Sequence, residues 1–367
     1  MWLFGLPLTK AVMLQVSPCL LMADIAHDET MLIIRPAKLS DCDHLIHLAS
    51  KVGTGMTTVS DDPAVVEQRV VNSISAFNQC LDAFETGGSY LLVMEDNARI
   101  VGMCAIYTRL GVSAPFYSFR VSKLQYNSEV LGKKTEPKTL TLVNDFHGYS
   151  EIGTLFLDPD YRSGGRGRFL SYSRFALMAT DIDRFGRRVM AEMRGWTDEN
   201  GISPFWDAVG AKFFEMEFAD ADRLSGIDNG FITELMPRSP IYLNILPQAA
   251  QDVVGTTHDL TRPARALLEK QGFRFENQID IFDGAPCLEV HAENIPLVAG
   301  ARSAVVTIVE SVGEGQICML CNPRLDSFAV VREKAFLNPG GSCEIDKATA
   351  AALDLNDGDT LQIVPWV

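Results

Sequence analysis

The sequence predicts an α+β protein: a mixed central sheet flanked by helices, followed by a small C-terminal subdomain that is β-rich and barrel-like. Three observations support this prediction. A strand, two helices and a hairpin follow one another near the N-terminus. A helix–glycine–aromatic unit at 205–214 is echoed at 259–273, which indicates a partial duplication. After residue 290, short β-rich runs alternate with Gly, Pro and Asp turns.

The first elements form one half of the sheet. Residues 31–36 form a short apolar strand that ends at a proline, and residues 44–51 have helical spacing behind a capping serine. After a flexible loop at 53–58, a proline at the first helical position opens a helix over residues 62–84. Residues 89–95 and 100–108 then form two strands joined by a tight turn.

The later elements are less regular. Residues 111–149 have no clean hydrophobic period, so we expect mostly loop with an edge strand. Beyond them the pattern predicts strands at 150–157 and 188–193 and helices at 165–185 and 204–214. A helix, a tight turn and a strand at 360–365 end the chain.

These patterns divide the chain into four parts. We expect residues 1–30 to be a leader or a disordered extension, because they make a poor signal peptide and their uninterrupted apolar run is too short to span a membrane. Residues 31–216 form the core, 217–290 a second half that repeats its pattern, and 291–367 the β-rich subdomain.

Composition excludes some classes of function. The chain has 367 residues, 47% of them hydrophobic, which is enough to build a core without metal or disulfide staples. Its net charge of −15 argues against nucleic-acid binding, which needs clustered Lys and Arg, and it permits a cationic substrate. No transmembrane segment is visible.

The eight cysteines predict a reducing compartment, and hence a cytoplasmic protein. Several lie within apolar runs, as Cys104 does, where a buried free thiol is expected. Cys318 and Cys321 have CxxC spacing, but no second Cys or His pair lies nearby to complete a zinc site. We therefore interpret them as thiols of a strand core and predict no metal.

The strongest local signal is the glycine-rich segment at 155–170. A strand runs into a basic turn and then directly into a helix, whose exposed N–H groups form an anion site. Arg162, Arg166 and Arg168 add charge suited to phosphate groups. The segment is neither a Walker A loop nor a Rossmann fingerprint.

This segment resembles the coenzyme A signature of the GNAT acyltransferase superfamily, Arg/Gln-x-x-Gly-x-Gly/Ala, with Arg162, Gly165 and Gly167 at the signature positions. The resemblance implies a GNAT-like fold whose acyl-CoA contacts include Leu155, Leu157 and Arg166. Its position after the fourth main strand agrees with that fold.

Several blocks also resemble the arginine N-succinyltransferase family, densely over 31–290 and more loosely beyond. They include 117–121, 150–160, 191–195, 203–206, 234–237 and 280–284. The resemblance implies transfer of a succinyl group from succinyl-CoA, as cosubstrate, to the α-amine of L-arginine. It implies no permanently bound cofactor, and either a homodimer or a hetero-oligomer with a related subunit.

The same resemblance assigns a catalytic histidine, which falls on His258. Amine acylation needs a base for the ammonium and an acid for the departing thiolate, and imidazole titrates in the useful range. Tyr242 is the weaker alternative as proton donor. No Cys–His or Ser–His arrangement stands out, so we expect direct transfer without a covalent intermediate.

Substrate contacts follow from charge. The succinyl carboxylate needs a cation, for which Arg120 and, more weakly, Lys123 are candidates. The guanidinium of arginine needs a carboxylate, for which Glu192 and Asp252 are candidates, and Arg194 suits the substrate carboxylate. Arg120 could instead be a solvated loop arginine, and Glu192, Asp252 and Arg194 could each form an internal ion pair.

Two alternatives stay open at this stage. One is a related GNAT N-acyltransferase that accepts ornithine or uses acetyl-CoA. The other is a non-catalytic CoA-binding partner subunit.

Overall fold

The computed structural model describes residues 31–52, 59–78, 87–226 and 229–366. The predicted leader at 1–30, the loop at 53–58 and the predicted end of the second helix at 84 lie outside these residues. Residues from Met31 onward form one compact unit, and its division at 216 and 290 stays a prediction.

The described part of the chain contains both strands and helices. The strands are β1 Ile33–Pro36, β2 Ser89–Asp96, β3 Arg99–Tyr107, β4 Ser118–Lys123, β5 Tyr126–Ser128, β6 Lys133–Thr135, β7 Lys138–Val143, β8 Ser150–Leu157, β9 Arg188–Glu192, β10 Ile241–Tyr242, β11 Arg274–Ile279, β12 Pro286–His291, β13 Arg302–Val309, β14 Gln316–Asn322, β15 Ala329–Leu337, β16 Ser342–Asp346 and β17 Thr360–Pro365. The helices are α1 Cys42–Ala49, α2 Pro63–Asn78, α3 Arg166–Thr180, α4 Pro204–Ala208, α5 Gly210–Phe214, α6 Phe218–Ser225, α7 Gly230–Leu235, α8 Gln248–Val253, α9 Arg262–Lys270, α10 Pro296–Ala299 and α11 Lys347–Ala352.

The first half of the sheet has the order β1-β2-β3-β8 and is antiparallel throughout. Asn97 and Ala98, both with positive φ, close the β2–β3 hairpin, as the right-handed twist of paired strands favours. Strand β9 then joins β8 in parallel. This arrangement, with α3 packed against the sheet, confirms the predicted α+β, GNAT-like fold.

The second half continues the sheet beyond β9 in the order β12-β11-β4-β7-β10. We predicted mostly loop with an edge strand for residues 111–149, and the structure has four strands there. Strand β4 lies inside the sheet, paired with β7 over six residues on one side and with β11 on the other. The pattern was missed because these strands are only half buried. Arg120 and Lys123, both exposed, interrupt the apolar residues of β4 on opposite faces of the strand.

The C-terminal part is a closed barrel of five strands, as predicted. Strand β13 pairs in parallel with β16 and antiparallel with β17, while β14 and β15 complete the ring. Strand β15 also pairs with β1, which joins the barrel to the main sheet. Cys318 and Cys321 both lie on β14 as free thiols, and Cys321 is fully buried.

Among the described helices, none combines the length and the apolar character that crossing a membrane would need.

Candidate active site

A cavity of about 810 Å³ lies where the parallel strands β8 and β9 separate. The two strands pair only at Ser150–Val189 and Glu151–Met190, near the start of each strand. Beyond these pairs, β8 and β9 diverge, and residues 153–155 and 191–192 line the cavity. Helices α2, α3 and α6 and the β11–β12 turn complete its wall.

An irregularity in β8 contributes to this separation. The register against β3 shifts between Met103 and Ala105, and Thr154 has a φ of 52°. The Thr154 hydroxyl is held by the Tyr107 hydroxyl at 2.6 Å. A bulge of this kind bends the strand and redirects its side chains and backbone groups, here beside Leu155, which lines the cavity.

The glycine-rich segment has the predicted strand–turn–helix geometry. Leu157 ends β8, and the Arg162 Nε donates to its carbonyl at 3.0 Å. Gly165 is the N-terminal cap of α3 in the left-handed conformation, with φ of 76°. Arg166 then begins the helix, so backbone N–H groups and two guanidinium groups lie at one helix N-terminus.

The C-terminal barrel contacts this turn, a role that the sequence did not indicate. The Arg332 Nη1 of β15 donates to the carbonyl of Gly164 at 2.8 Å. The Arg168 guanidinium lies 4.0 Å from the ring centroid of Trp366, at the chain end. These two contacts join the C-terminal barrel to the glycine-rich turn and to the start of α3.

The two glycines of this turn should respond differently to alanine. A Cβ on Gly165 would lie 3.2 Å from Arg332 Nη1 at a positive φ, whereas a Cβ on Gly167 would meet only Leu157 at 3.8 Å. We expect Gly165→Ala to lower the free energy of unfolding by about 1–2 kcal/mol. Gly167→Ala should raise it by up to about 1 kcal/mol, because alanine favours the helix.

Urea denaturation measures both free energies of unfolding. If the turn binds the phosphates of an acyl-CoA, Gly167→Ala should also raise the KM for the acyl-CoA, because its methyl group stands at the helix N-terminus. Equal destabilisation of Gly165→Ala and Gly167→Ala would contradict the assignment of Gly165 to the left-handed cap and Gly167 to the helix.

Besides Asp222 on α6, four acidic residues line the cavity: Glu151, Glu192, Asp280 and Asp283. Three are buried, and Glu192 is partly buried. Within the described ranges, none of the four forms an ion pair, and no acidic or histidine cluster has an arrangement that could hold a metal ion. Acids without an ion-pair partner are costly to bury, and they point to a cationic ligand.

Burial and mutual repulsion change the protonation of these acids. Burial raises the pKa of Glu151 to about 7. Burial, followed by the charges of Asp280, Glu151 and Asp283, raises the pKa of Glu192 well above its usual range. The pKa of Asp283 is also raised, chiefly by burial, although the N–H groups of Gly195 and Ala285 donate to its carboxylate.

Arg194 and His258 lie side by side at this site. The backbone N–H of His258 donates to the Arg194 carbonyl at 2.9 Å, and Arg194 and Thr261 line the cavity, whereas His258 does not. Burial and the Arg194 charge lower the pKa of His258, although Asp259 opposes them. The Arg194 Nε is buried and has no hydrogen-bond partner among the described residues.

The His258 ring caps the short turn before α9. Its Nδ1 accepts a hydrogen bond from the Leu260 N–H at 3.2 Å. A ring nitrogen that accepts is unprotonated, so the neutral imidazole carries its proton on Nε2. His258 is therefore a hydrogen-bond donor at Nε2 when neutral.

Several predicted substrate residues lie away from the cavity lining. Arg120 is exposed on β4 and pairs with Asp145, while Lys123 is exposed at the end of that strand. Asp252 is exposed on α8 and accepts from Gln248. Tyr242 lies on β10 beside Tyr126. The cavity lining thus includes Glu192, Arg194 and Leu155 but not these four residues. His258 is not part of the lining either, but it is hydrogen-bonded to Arg194, which is.

Comparisons with known proteins agree over nearly the whole chain. The protein-family model of the arginine N-succinyltransferase beta subunit matches residues 32–297. The family model of that subunit's C-terminal domain matches residues 302–365. An arginine N-succinyltransferase of Enterobacter sp. (strain 638) is 41% identical over 341 residues, covering 91% of this chain and 97% of its own. The Escherichia coli K12/DH10B protein of the same name is 41% identical over 343 residues.

One solved structure is similar across the same length. Arginine/ornithine succinyltransferase subunit AI from Pseudomonas aeruginosa superposes with a TM-score of 0.83 at 31% identity. The match covers 91% of this chain and 98% of that one.

Proposed function

Because this chain belongs to the arginine N-succinyltransferase family, we propose that it transfers a succinyl group from succinyl-CoA to the α-amine of L-arginine. The reaction breaks the thioester C–S bond and forms an amide C–N bond, giving N2-succinylarginine and free CoA. It is the first step of arginine catabolism by succinylation. The observation that carries the proposal is the group of unpaired acids around one cavity beside an anion-binding turn.

The acids suit the guanidinium of the acceptor. A guanidinium offers five N–H donors and no acceptor, so carboxylates recognise it in pairs or singly through two parallel bonds. Glu192 and Asp280 are close enough to raise the pKa of Glu192 by repulsion and hydrogen bonding. A bound guanidinium would replace that repulsion with attraction. The free Nε of Arg194 suits the α-carboxylate of the same substrate.

The proton transfers are divided between two groups. Glu151, whose pKa lies at about 7, accepts a proton from the α-ammonium, because a base that titrates near the working pH is most effective. His258 donates a hydrogen bond from Nε2 to the thioester oxygen or the departing sulfur. A neutral imidazole can donate this hydrogen bond without becoming charged.

The acyl-CoA lies along β8 and the start of α3. The pyrophosphate binds at the α3 N-terminus with Arg162 and Arg166, and Gly165 and Gly167 allow close approach of the backbone. Leu155 and Leu157 contact the pantetheine arm, and backbone N–H groups near Leu155 meet the oxyanion. The acyl-CoA is a cosubstrate, so no permanently bound cofactor is required, and we place the reaction in the cytoplasm.

A thiol-release assay on the purified chain tests this function. Succinyl-CoA or acetyl-CoA is combined with L-arginine, L-ornithine or no acceptor, and free CoA is measured. We expect release only with succinyl-CoA and L-arginine. Release with acetyl-CoA or ornithine would overturn the substrate assignment. Binding of CoA without any release would indicate that a related subunit is required, and light scattering would then report whether the chain is a homodimer.

A further inference from the structure

Arg174 is a buried cation that the proposed reaction does not yet use. It lies on α3, is 2% exposed, and still lines the cavity. Its Nε and Nη2 donate to the carbonyl and the hydroxyl of Ser171, at 3.0 and 2.8 Å. No described carboxylate lies within ion-pair distance of its guanidinium. Burying an uncompensated charge is unfavourable unless a ligand supplies the counter-charge.

The charge of Arg174 is also separate from the acids of the same cavity. Burial lowers the pKa of Arg174, and no carboxylate opposes that effect. Likewise, no cation contributes to the raised pKa of Glu151 or Glu192. The charge of Arg174 is therefore not neutralised by Glu151 or Glu192.

The other cations of the cavity lining are not equivalent to Arg174. Arg109 is exposed, and Arg69 already has an interaction partner. Arg194 lies in the field of Asp283 and Asp222. Arg174 combines burial with the lack of an acidic partner.

Its position on α3 suits the acyl end of the cosubstrate. Arg174 follows Arg166 by eight residues, which places it about 12 Å along the helix from the proposed pyrophosphate site. The pantetheine arm carries the acyl group away from the pyrophosphate, beside β8, which packs against this helix. A terminal carboxylate on the acyl group would then meet Arg174.

We propose that Arg174 binds the free carboxylate of the succinyl group and so selects a dicarboxylic acyl-CoA over an uncharged one. This inference rests on the proposed function and replaces Arg120, which does not line the cavity. A buried guanidinium such as that of Arg174 forms short, charge-assisted hydrogen bonds with a carboxylate.

Selectivity between succinyl-CoA and butyryl-CoA tests the inference, since the two acyl groups have the same carbon chain and only one is charged. In Arg174→Met, kcat/KM for succinyl-CoA should fall by about 30-fold to 1,000-fold, because a buried charge pair is lost. Butyryl-CoA turnover should stay the same or rise. The melting temperature should not fall, since methionine removes an unpaired buried charge.

Arg184→Met is the matched control, because Arg184 is also buried but pairs with Asp181 and does not line the cavity. It should lower the melting temperature and leave the succinyl/butyryl ratio unchanged. Should Arg174→Met be recovered unfolded, Arg174→Lys is tested instead. It should also lower the ratio of kcat/KM for succinyl-CoA to that for butyryl-CoA, but by less.

An equal loss with both acyl-CoAs, or a lower melting temperature with an unchanged ratio, would overturn the inference and leave Arg174 a structural residue. Failure of the proposed function is distinguishable, because it would show as a wild-type protein that does not turn over succinyl-CoA with L-arginine.

Discussion

Replacing His258 by alanine is expected to lower kcat by about 10²- to 10⁴-fold, with a much smaller change in KM, as measured by thiol release. The physical reason is that Nε2 is the proposed donor to the thioester oxygen or sulfur, where negative charge develops only in the transition state. Burial and the nearby Arg194 charge lower the pKa of His258 and keep the ring neutral at pH 7. The donor is therefore in place before the substrate arrives.

His258 also caps a turn, so a second variant must separate the two roles. Asparagine is a good N-cap, and its oxygen can accept the Leu260 N–H as Nδ1 does, but it cannot replace the imidazole proton. His258→Asn should thus be as inactive as His258→Ala while being more stable. Recovery of activity in His258→Asn would show that only the cap matters. His291→Ala, an exposed histidine at the start of a similar turn, should leave kcat unchanged.

The pH dependence distinguishes the two proton-transfer groups. A base must be unprotonated, so kcat/KM of the wild type should rise with pH through about 7, where Glu151 titrates. His258→Asn should keep this rising limb at a lower level. If kcat/KM of His258→Asn no longer rises with pH through about 7, then His258, rather than Glu151, is the base.

Much of this architecture follows from local sequence patterns. Strong apolar periods and turn residues placed β2, β3, β8 and α3 within a few residues of their observed bounds. The glycine-rich turn was predictable because its role depends on a backbone conformation that favours glycine. The glycines in the sequence therefore indicate the turn directly. The half-buried strands β4 and β7 were not, because their alternation depends on which face the rest of the sheet covers.

The acidic region of the cavity was predicted only through Glu192. Asp280 and Asp283 sit in a turn, where acids are common for local reasons, so nothing in the sequence separates them from surface turn residues. Glu151 and Arg174 did leave a signal. Each interrupts an otherwise apolar strand or helix, at a position where a charge needs a partner that the sequence does not identify.

Replacing Glu192 by glutamine should stabilise the fold at pH 8 but weaken the binding of L-arginine. The KM for L-arginine should rise by about 30-fold to 1,000-fold, because the acceptor guanidinium loses a partly desolvated counter-charge, while the KM for succinyl-CoA changes little. A raised pKa in an acid means that the folded state holds the proton to higher pH than the unfolded state does. Stability is therefore lost as pH rises above the ordinary value near 4.5 and through the folded pKa.

Glutamine at position 192 removes this loss, so the variant should melt higher than the wild type at pH 8, and the difference should vanish below about pH 4.5. Glu289→Gln is the matched control on the adjacent strand β12, where the acid pairs with Arg188 at 2.8 Å. That variant should melt lower and keep the KM for arginine. A Glu192→Gln protein that melts lower at pH 8 and binds arginine normally would mean that Glu192 has its counter-charge within the fold and is not the guanidinium site.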